Sequence, residues 1–254
     1  ANIYSNGESE EFLGRALKKY AKREEVVIAT KCGINMSKNP KPNTVGLSRK
    51  LIFDEVEKSL KRLGTDYIDL YIVHHPDMNT PVEETMHALD DLVRLGKIRY
   101  IGASNMKAWQ FAKYQYTARI HGWREFISLE NAHNIFERDD ERELFPMLID
   151  MHVSMTAYKI LSGGRLSRKE GEQSARSITQ KLSEKEILMS DRIERIAEKY
   201  NCSKADVLIS YELMKKPIDV VLVGTTKPER IKDTVNALNL HLSEDDVKYL
   251  EEVR

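Results

Sequence analysis

Residues 67–74 read YIDLYIVH, a short β-branched and aromatic run that ends on His74 and is followed at once by His75. It is too short for a helix and nearly continuous in apolar content, as strands buried on both faces are. Five further stretches read the same way: residues 25–31 (EVVIATK), 99–105 (RYIGASN), 126–132 (FISLENA), 153–161 (VSMTAYKIL) and 219–225 (DVVLVGT). Helical patterns fill the gaps, at 8–23, 48–63, 80–95, 107–121, 139–151, 187–200, 203–215, 227–238 and 243–253. In the first of these, Phe12, Leu13, Ala16 and Leu17 form an apolar stripe. Ser48 and Gly64 bracket the second, and Thr80-Pro81 with Glu83 reads as a capping box opening the third. Ser203 with Asp206, and Ser243 with Asp246, repeat the cap-plus-acid start. Pro146 interrupts the helix at 139–151.

Alternating strands and helices predict a parallel sheet with helices outside it. An open dinucleotide-binding sheet would carry G-x-G-x-x-G after its first strand, and no such pattern occurs; Gly163-Gly164 follows a strand without it. The polar residues instead gather at strand ends: Lys31, His74, Ser104-Asn105, Glu130, Tyr158 and Thr225-Thr226. Functional side chains at strand carboxyl ends mark the mouth of a (β/α)8 barrel. The sequence shows six of the eight strands such a barrel needs, so the other two would fall ahead of Ala1. Residues 1–254 are read as one domain. The longest irregular stretch, 162–186, is charged and Gly/Ser-containing, and a loop of that length is usually a lid or disordered.

Composition narrows the function classes. The chain has 254 residues, 41% hydrophobic and 31% charged, with 40 Lys+Arg balancing 40 Asp+Glu. No whole-chain basic excess points to nucleic acid or an anionic membrane, and no apolar run reaches the length of a membrane span. The start has neither a charged nor an apolar leader segment, and Cys32 and Cys202 are too few and too far apart for a disulfide framework or a metal site. The expectation is a cytoplasmic protein with reduced thiols, no metal and no nucleic-acid partner.

Tyr4, Lys31 and His74 are the residues with chemistry to offer. A tyrosine titrates near 10 and is a poor acid at neutral pH unless a cation lies close; Lys31 could be that cation, and His74 could orient a carbonyl against the phenol. Because side chains alternate along a strand, only one of His74 and His75 should face the mouth. Lys227-Pro228-Glu229-Arg230 opens a helix, and helix starts with cations favour phosphate. Each feature alone has an ordinary structural reading as well: a strand-end lysine, a core histidine, a solvated helix start.

Together these residues resemble the aldo-keto reductase family, in the branch of aryl-alcohol-dehydrogenase-like proteins and potassium-channel β-subunits. The resemblance is carried by ANIYSNGESEEFLG, VVIATK, RLGTDYIDLYIVHHPD, GKIRYIGASN, GWREFISLENAHN and VLVGTTKPERI, in this order over nearly the whole chain. It implies that Tyr4 is the general acid, that Lys31 lowers its pKa and that His74 orients the carbonyl. Ser104, Asn105 and Glu130 would meet the nicotinamide carboxamide, and Tyr158 would stack on the ring. Leu161, Gly164 and Arg165 would line the pyrophosphate, while Gly224, Thr226, Lys227, Arg230 and Thr234 would surround the adenosine end. Two cations there favour NADP over NAD by charge pairing. The substrate would be a small carbonyl compound, an aldehyde or ketone and aromatic ones included; oligomeric state stays open.

The resemblance has departures. The family's Asp, which pairs with the lysine, and its first strand, first helix and most of its second strand would precede Ala1. Glu130 stands where the family usually has Gln, His133 replaces a Tyr, and Lys159-Ile160 replaces Ser-Pro. A carboxylate accepts from a carboxamide but cannot donate to it. Two readings therefore stand: an NADPH-dependent carbonyl reductase, or a catalytically impaired chain of the same fold with a binding or regulatory role.

Overall fold

The computed structural model describes residues 1–35, 39–167, 182–225 and 227–253, and these divide into two compact units, Ala1–Glu130 and Asn131–Arg254. Thr226 and most of the loop expected at 162–186 lie outside the described residues.

The first unit runs from a 3-10 turn at Tyr4–Gly7 through α1 (Glu8–Tyr20), β1 (Ala29–Cys32), α2 (Arg49–Leu63), β2 (Ile68–Val73), α3 (Val82–Arg94), β3 (Ile98–Ser104) and α4 (Ala108–His121) to β4 (Ser128–Ala132). All its strand pairs are parallel, and neighbouring strands are neighbours in sequence. Cys32 pairs with Val73, Val73 with Ala103, and Ala103 with Leu129. That register settles orientation. Side chains alternate with period two, so Cys32, Val73, Ala103 and Leu129 share one face, and all are buried. Lys31, one residue before this row, and His74, Ser104 and Glu130, one residue after it, share the other.

The expected helices form, with local corrections. Ser48 caps α2, its Oγ accepting from the Leu51 N–H, and Gly64 ends it at φ 66°. Thr80 does not cap α3: its hydroxyl donates to Asp77 Oδ2 at 2.6 Å, and the helix starts after Pro81 without a side-chain cap. α1 forms where helical spacing placed it, with Phe12 69% and Leu13 38% exposed. The buried side chain of α1 is Glu10, which accepts from Thr30 Oγ1 (2.5 Å) and Arg62 Nε (2.6 Å). Gly14 lies against the end of α2, where a Cβ would stand 2.4 Å from Leu63 O. β1 is shorter than residues 25–31, because Arg23–Glu25 forms a 3-10 turn.

In the second unit, α5 (Leu144–Asp150), β5 (Ser154–Tyr158), α6 (Glu184–Tyr200), α7 (Lys204–Leu213), β6 (Ile218–Val221), α8 (Glu229–Asn236) and α9 (Glu244–Glu251) follow the last residues of β4. β5 pairs with β6 in parallel, and the His133 N–H just after β4 donates to Tyr158 O at 3.1 Å. The helix expected at 139–151 resolves into a 3-10 turn at Asp139–Glu141 and α5. Pro146 sits in the first turn of α5, where N–H groups have no intrahelical acceptor, so it opens the helix instead of breaking it. The end of the 162–186 segment is helical, since α6 begins at Glu184 behind a Ser183–Glu186 capping box. Ser203 and Ser243 cap α7 and α9 as expected. Ile193, Ile196, Val207, Leu208, Tyr211 and Leu250 form the shared core of α6, α7 and α9.

An ion network joins these elements around His133, which is fully buried. Its Nδ1 lies 2.6 Å from Glu212 and its Nε2 3.2 Å from Glu141. Arg138 makes two 2.8 Å bonds to Glu141 and reaches Glu251 at 3.1 Å; Lys215 also pairs with Glu251. Three cations thus face three carboxylates, which satisfies charges that would otherwise be costly to bury. Burial opposes protonation of His133, yet the bonds to Glu141 and Glu212 carry its pKa up to about 9.

A raised histidine pKa stabilises the fold fully below the unfolded value of about 6.5 and progressively less up to the folded one. Urea midpoints should therefore fall between pH 7 and 10, by roughly 2 kcal/mol of stability. His133→Gln should flatten that slope while lowering stability at pH 6. Gly14→Ala should cost about 1–3 kcal/mol in the same assay, through overpacking against Leu63.

Candidate active site

Three strands and the opening turn bring the expected chemistry together in the first unit. Lys31 Nζ lies 2.9 Å from Glu130 Oε1, with both side chains only 10% exposed. On a flat sheet β1 and β4 stand three spacings, about 14 Å, apart. The two side chains therefore reach toward each other across β2 and β3 on the face they share. Lys31 Nζ also lies 5.4 Å from the centre of the Tyr4 ring. The Tyr4 ring meets His74 edge-on, with centroids 5.8 Å apart and planes at 84°.

Tyr4 is 44% exposed, open to a reactant and to solvent protons. It sits in a contorted turn: Ser5, Asn6 and Gly7 follow at φ 49°, 53° and 94°. Left-handed backbone in two non-glycine residues costs free energy that the surroundings must offset. The surroundings do so through Arg62, which packs against Gly7 so closely that a Cβ there would fall 2.7 Å from its Cδ. Arg62 is itself fixed by the buried Glu10, which also holds Thr30 beside Lys31. This clamp escaped the sequence reading. Its one visible signal is a glycine at the junction of turn and helix.

His74 is buried, and its Nδ1 has no hydrogen-bond partner. Burial first, then the charges of Lys31 and His75, hold its pKa down to about 4. It is therefore a neutral imidazole across the physiological range, able to donate one hydrogen bond without carrying charge. The rings of His74 and His75 stack at 5.5 Å and 7°, with His74 buried and His75 exposed; the His74 N–H continues the ladder by donating to Cys32 O at 3.0 Å.

Ser104 and Asn105 are locked to their neighbours. The Ser104 hydroxyl donates to Glu130 O (2.8 Å), the Asn105 N–H to the same oxygen (3.1 Å), and Asn105 Nδ2 to His74 O (3.0 Å) and Ser104 Oγ (2.9 Å). Asn105 adopts φ 58°, a conformation asparagine tolerates better than most residues. These bonds aim both side chains while tying the ends of β2, β3 and β4 to one another. Glu130, expected at a carboxamide, turns its carboxylate to Lys31.

The second unit holds the remaining expected residues. Tyr158 is the last residue of β5 and half-buried. Leu161 and Gly164 flank the 3-10 turn at Ser162–Gly164, with Gly164 at φ 79°. Arg165 makes two bonds, 2.7 and 2.9 Å, to Glu186, and this guanidinium holds the Glu186 carboxyl down to about 2. Gly224 has open space where a side chain would be. Lys227 precedes α8, Arg230 lies in its first turn, and Thr234 donates to Ile231 O at 2.8 Å. Lys227 and Arg230 thus place two cations at the start of α8, with Thr234 one turn further along. Among the described residues no cluster of three metal-ligating side chains occurs, and no helix is long and apolar enough to cross a membrane.

Comparison with known proteins gives the family. The Aldo/keto reductase family profile matches residues 1–254. A Schizosaccharomyces pombe protein provisionally assigned as an aryl-alcohol dehydrogenase is 41% identical, over 99% of this chain and 79% of the relative. The versiconal hemiacetal acetate reductase of Aspergillus parasiticus is 40% identical, over 99% of this chain and 80% of the relative. Among solved structures, a thermostable aldo-keto reductase, Tm1743, crystallised with the inhibitor epalrestat, superposes with a TM-score of 0.82 at 28% identity, covering all of this chain and 80% of that one. With its parallel strands, outer helices and polar strand ends, the chain shares the fold of the (β/α)8 barrel enzymes and belongs to the aldo/keto reductase family of oxidoreductases.

Proposed function

We propose that this protein reduces aldehydes or ketones, aromatic ones included, to alcohols with NADPH. The observation that carries the reading is the grouping of Tyr4, Lys31 and His74, with the lysine 5.4 Å and the imidazole 5.8 Å from the phenol ring centre. The relatives named as a reductase and as an aryl-alcohol dehydrogenase support the substrate class.

Ser104, Asn105 and Tyr158 would hold the nicotinamide. Leu161, Gly164 and Arg165 would hold the pyrophosphate, Arg165 by sharing or exchanging its Glu186 partner. Gly224, Thr226, Lys227, Arg230 and Thr234 would hold the adenosine phosphate. When bound, the reduced nicotinamide supplies a hydride to a carbonyl carbon. The protein's own part is the proton. Tyr4 donates its phenolic hydrogen to the carbonyl oxygen as negative charge develops there. Lys31 stabilises the phenolate left behind, and the neutral His74 donates a hydrogen bond that orients the oxygen. The half-exposed Tyr4 regains its proton from solvent.

Saturable quenching of protein fluorescence by NADPH, followed by NADPH oxidation against a panel of aromatic and aliphatic carbonyls, tests the reading. Absence of both in the folded chain would overturn it. Tyr4→Phe should retain NADPH binding and lose about 10²–10⁴-fold in kcat. Lys227→Ala with Arg230→Ala should weaken NADPH binding by about tenfold or more and leave NADH binding nearly unchanged. Because His74 titrates near 4, kcat/KM should show no inflection near pH 6.5. A limb at that pH, absent in His74→Gln, would mean an ordinary, solvated imidazole.

A further inference from the structure

Gly14 brings two basic helix faces together. On α1, Glu11, Gly14, Arg15 and Lys18 stand at helical spacing and share one face. On α2, Lys58, Lys61 and Arg62 do the same. The end of α2 lies against Gly14, where a Cβ would stand 2.4 Å from Leu63 O. Between the two faces runs a groove of about 660 Å³, lined by five cations and by the carboxylate of Glu11. The whole chain balances 40 Lys+Arg against 40 Asp+Glu, so this surplus is local. Part of the charge is already matched: Arg62 donates to Glu10 at 2.6 Å, Lys58 pairs with Glu55 at 2.9 Å, and Arg15 lies 4.0 Å from Glu11. Lys18 and Lys61 are exposed and pair with no carboxylate among the described residues.

We infer that the groove between α1 and α2 binds a small, multiply charged anion of the polyphosphate class, held by Lys18, Lys61 and Arg15. A helix favours a cation in its last turn, which accounts for Lys18 on α1 and Lys61 on α2 taken singly. It does not account for both lining one groove, because like charges held close repel. An anion between them removes that repulsion. Lysine is a compact point charge on a flexible stem and suits phosphate oxygens. The apolar side chain at the groove is Leu63, and it is buried. An acidic peptide would therefore find charge there but no apolar anchor, and anchors carry most of the energy of peptide and protein contacts. None of these residues belongs to the set proposed for the cofactor or for proton transfer, and the inference does not rest on the reductase reading.

Titration calorimetry with inorganic tripolyphosphate tests the inference. The unaltered chain should bind it saturably, and raising NaCl from about 50 to about 500 mM should weaken binding roughly tenfold or more, because salt screens exposed charges. Lys18→Gln with Lys61→Gln removes both charges while keeping good helix formers. It should weaken binding at least about tenfold and leave NADPH binding unchanged. Lys227→Ala with Arg230→Ala should leave tripolyphosphate bound at the groove. Tripolyphosphate should also raise the melting temperature of the unaltered chain, as any ligand of the folded state does, and raise that of the Lys18→Gln, Lys61→Gln variant far less. No binding and no thermal shift in the unaltered chain would overturn the inference, and so would an unchanged affinity in the Lys18→Gln, Lys61→Gln variant. Loss of all binding in Lys227→Ala with Arg230→Ala would overturn it too, by placing the anion at the start of α8. A chain that reduces no carbonyl and still binds tripolyphosphate through Lys18 and Lys61 would end the reductase reading and keep this one.

Discussion

The register of the parallel strands is the constraint on which the site depends. Cys32, Val73, Ala103 and Leu129 stand in one row, and period-two alternation then places Lys31, His74, Ser104 and Glu130 on the opposite face. A slip of one residue in any strand would send one of these groups into the layer of apolar side chains. The apolar row therefore does more than bury surface. It fixes which side chains can meet, and the long side chains of Lys31 on β1 and Glu130 on β4 come into contact across the face they share.

Electrostatics within that face follow from burial. Lys31 and Glu130 compensate each other, while His74 escapes the cost of charge by staying neutral, its pKa held near 4 by burial and by the lysine. His133 in the second unit shows the opposite solution. It is more deeply buried than His74, yet two carboxylates keep it protonated up to about 9. The two histidines differ in the sign of their neighbours, and this separates an uncharged hydrogen-bond donor suited to chemistry from a cation that joins a core. The Tyr4 turn adds a third solution, in which a strained backbone is held by Arg62 against Gly7, with Glu10 holding Arg62.

Much of the fold is legible in the sequence. All six apolar runs become strands, because short runs of β-branched residues bounded by caps and glycines leave few alternatives. Ser48, Ser203 and Ser243 act as caps for the same local reason. Thr80 shows the limit: its hydroxyl goes to Asp77, an alternative acceptor that no local pattern reveals. Pro146 shows another, since whether a proline breaks or opens a helix depends on where the turn before it ends. On α1, helical spacing marks the helix, while the contacts of Glu10 and Gly14 carry no local signal.

The candidate site divides in the same way. Residue types, with Lys31 and His74 at strand ends, mark Tyr4, Lys31 and His74 as the groups with chemistry to offer, since strand ends are where polar side chains can gather without disrupting a core. The sequence by itself also determined the order of strands and helices, the barrel class through the polar strand ends, and the resemblance to the family through its motifs. Only the tertiary structure decided that Glu130 meets Lys31, that Glu186 holds Arg165, that His75 stacks on His74 and that Glu10 and Arg62 brace the tyrosine turn. These contacts join residues far apart in the chain or lying beyond the ends of regular elements. Their partners are chosen by register, curvature and burial, which are properties of the assembled sheet and not of any local stretch.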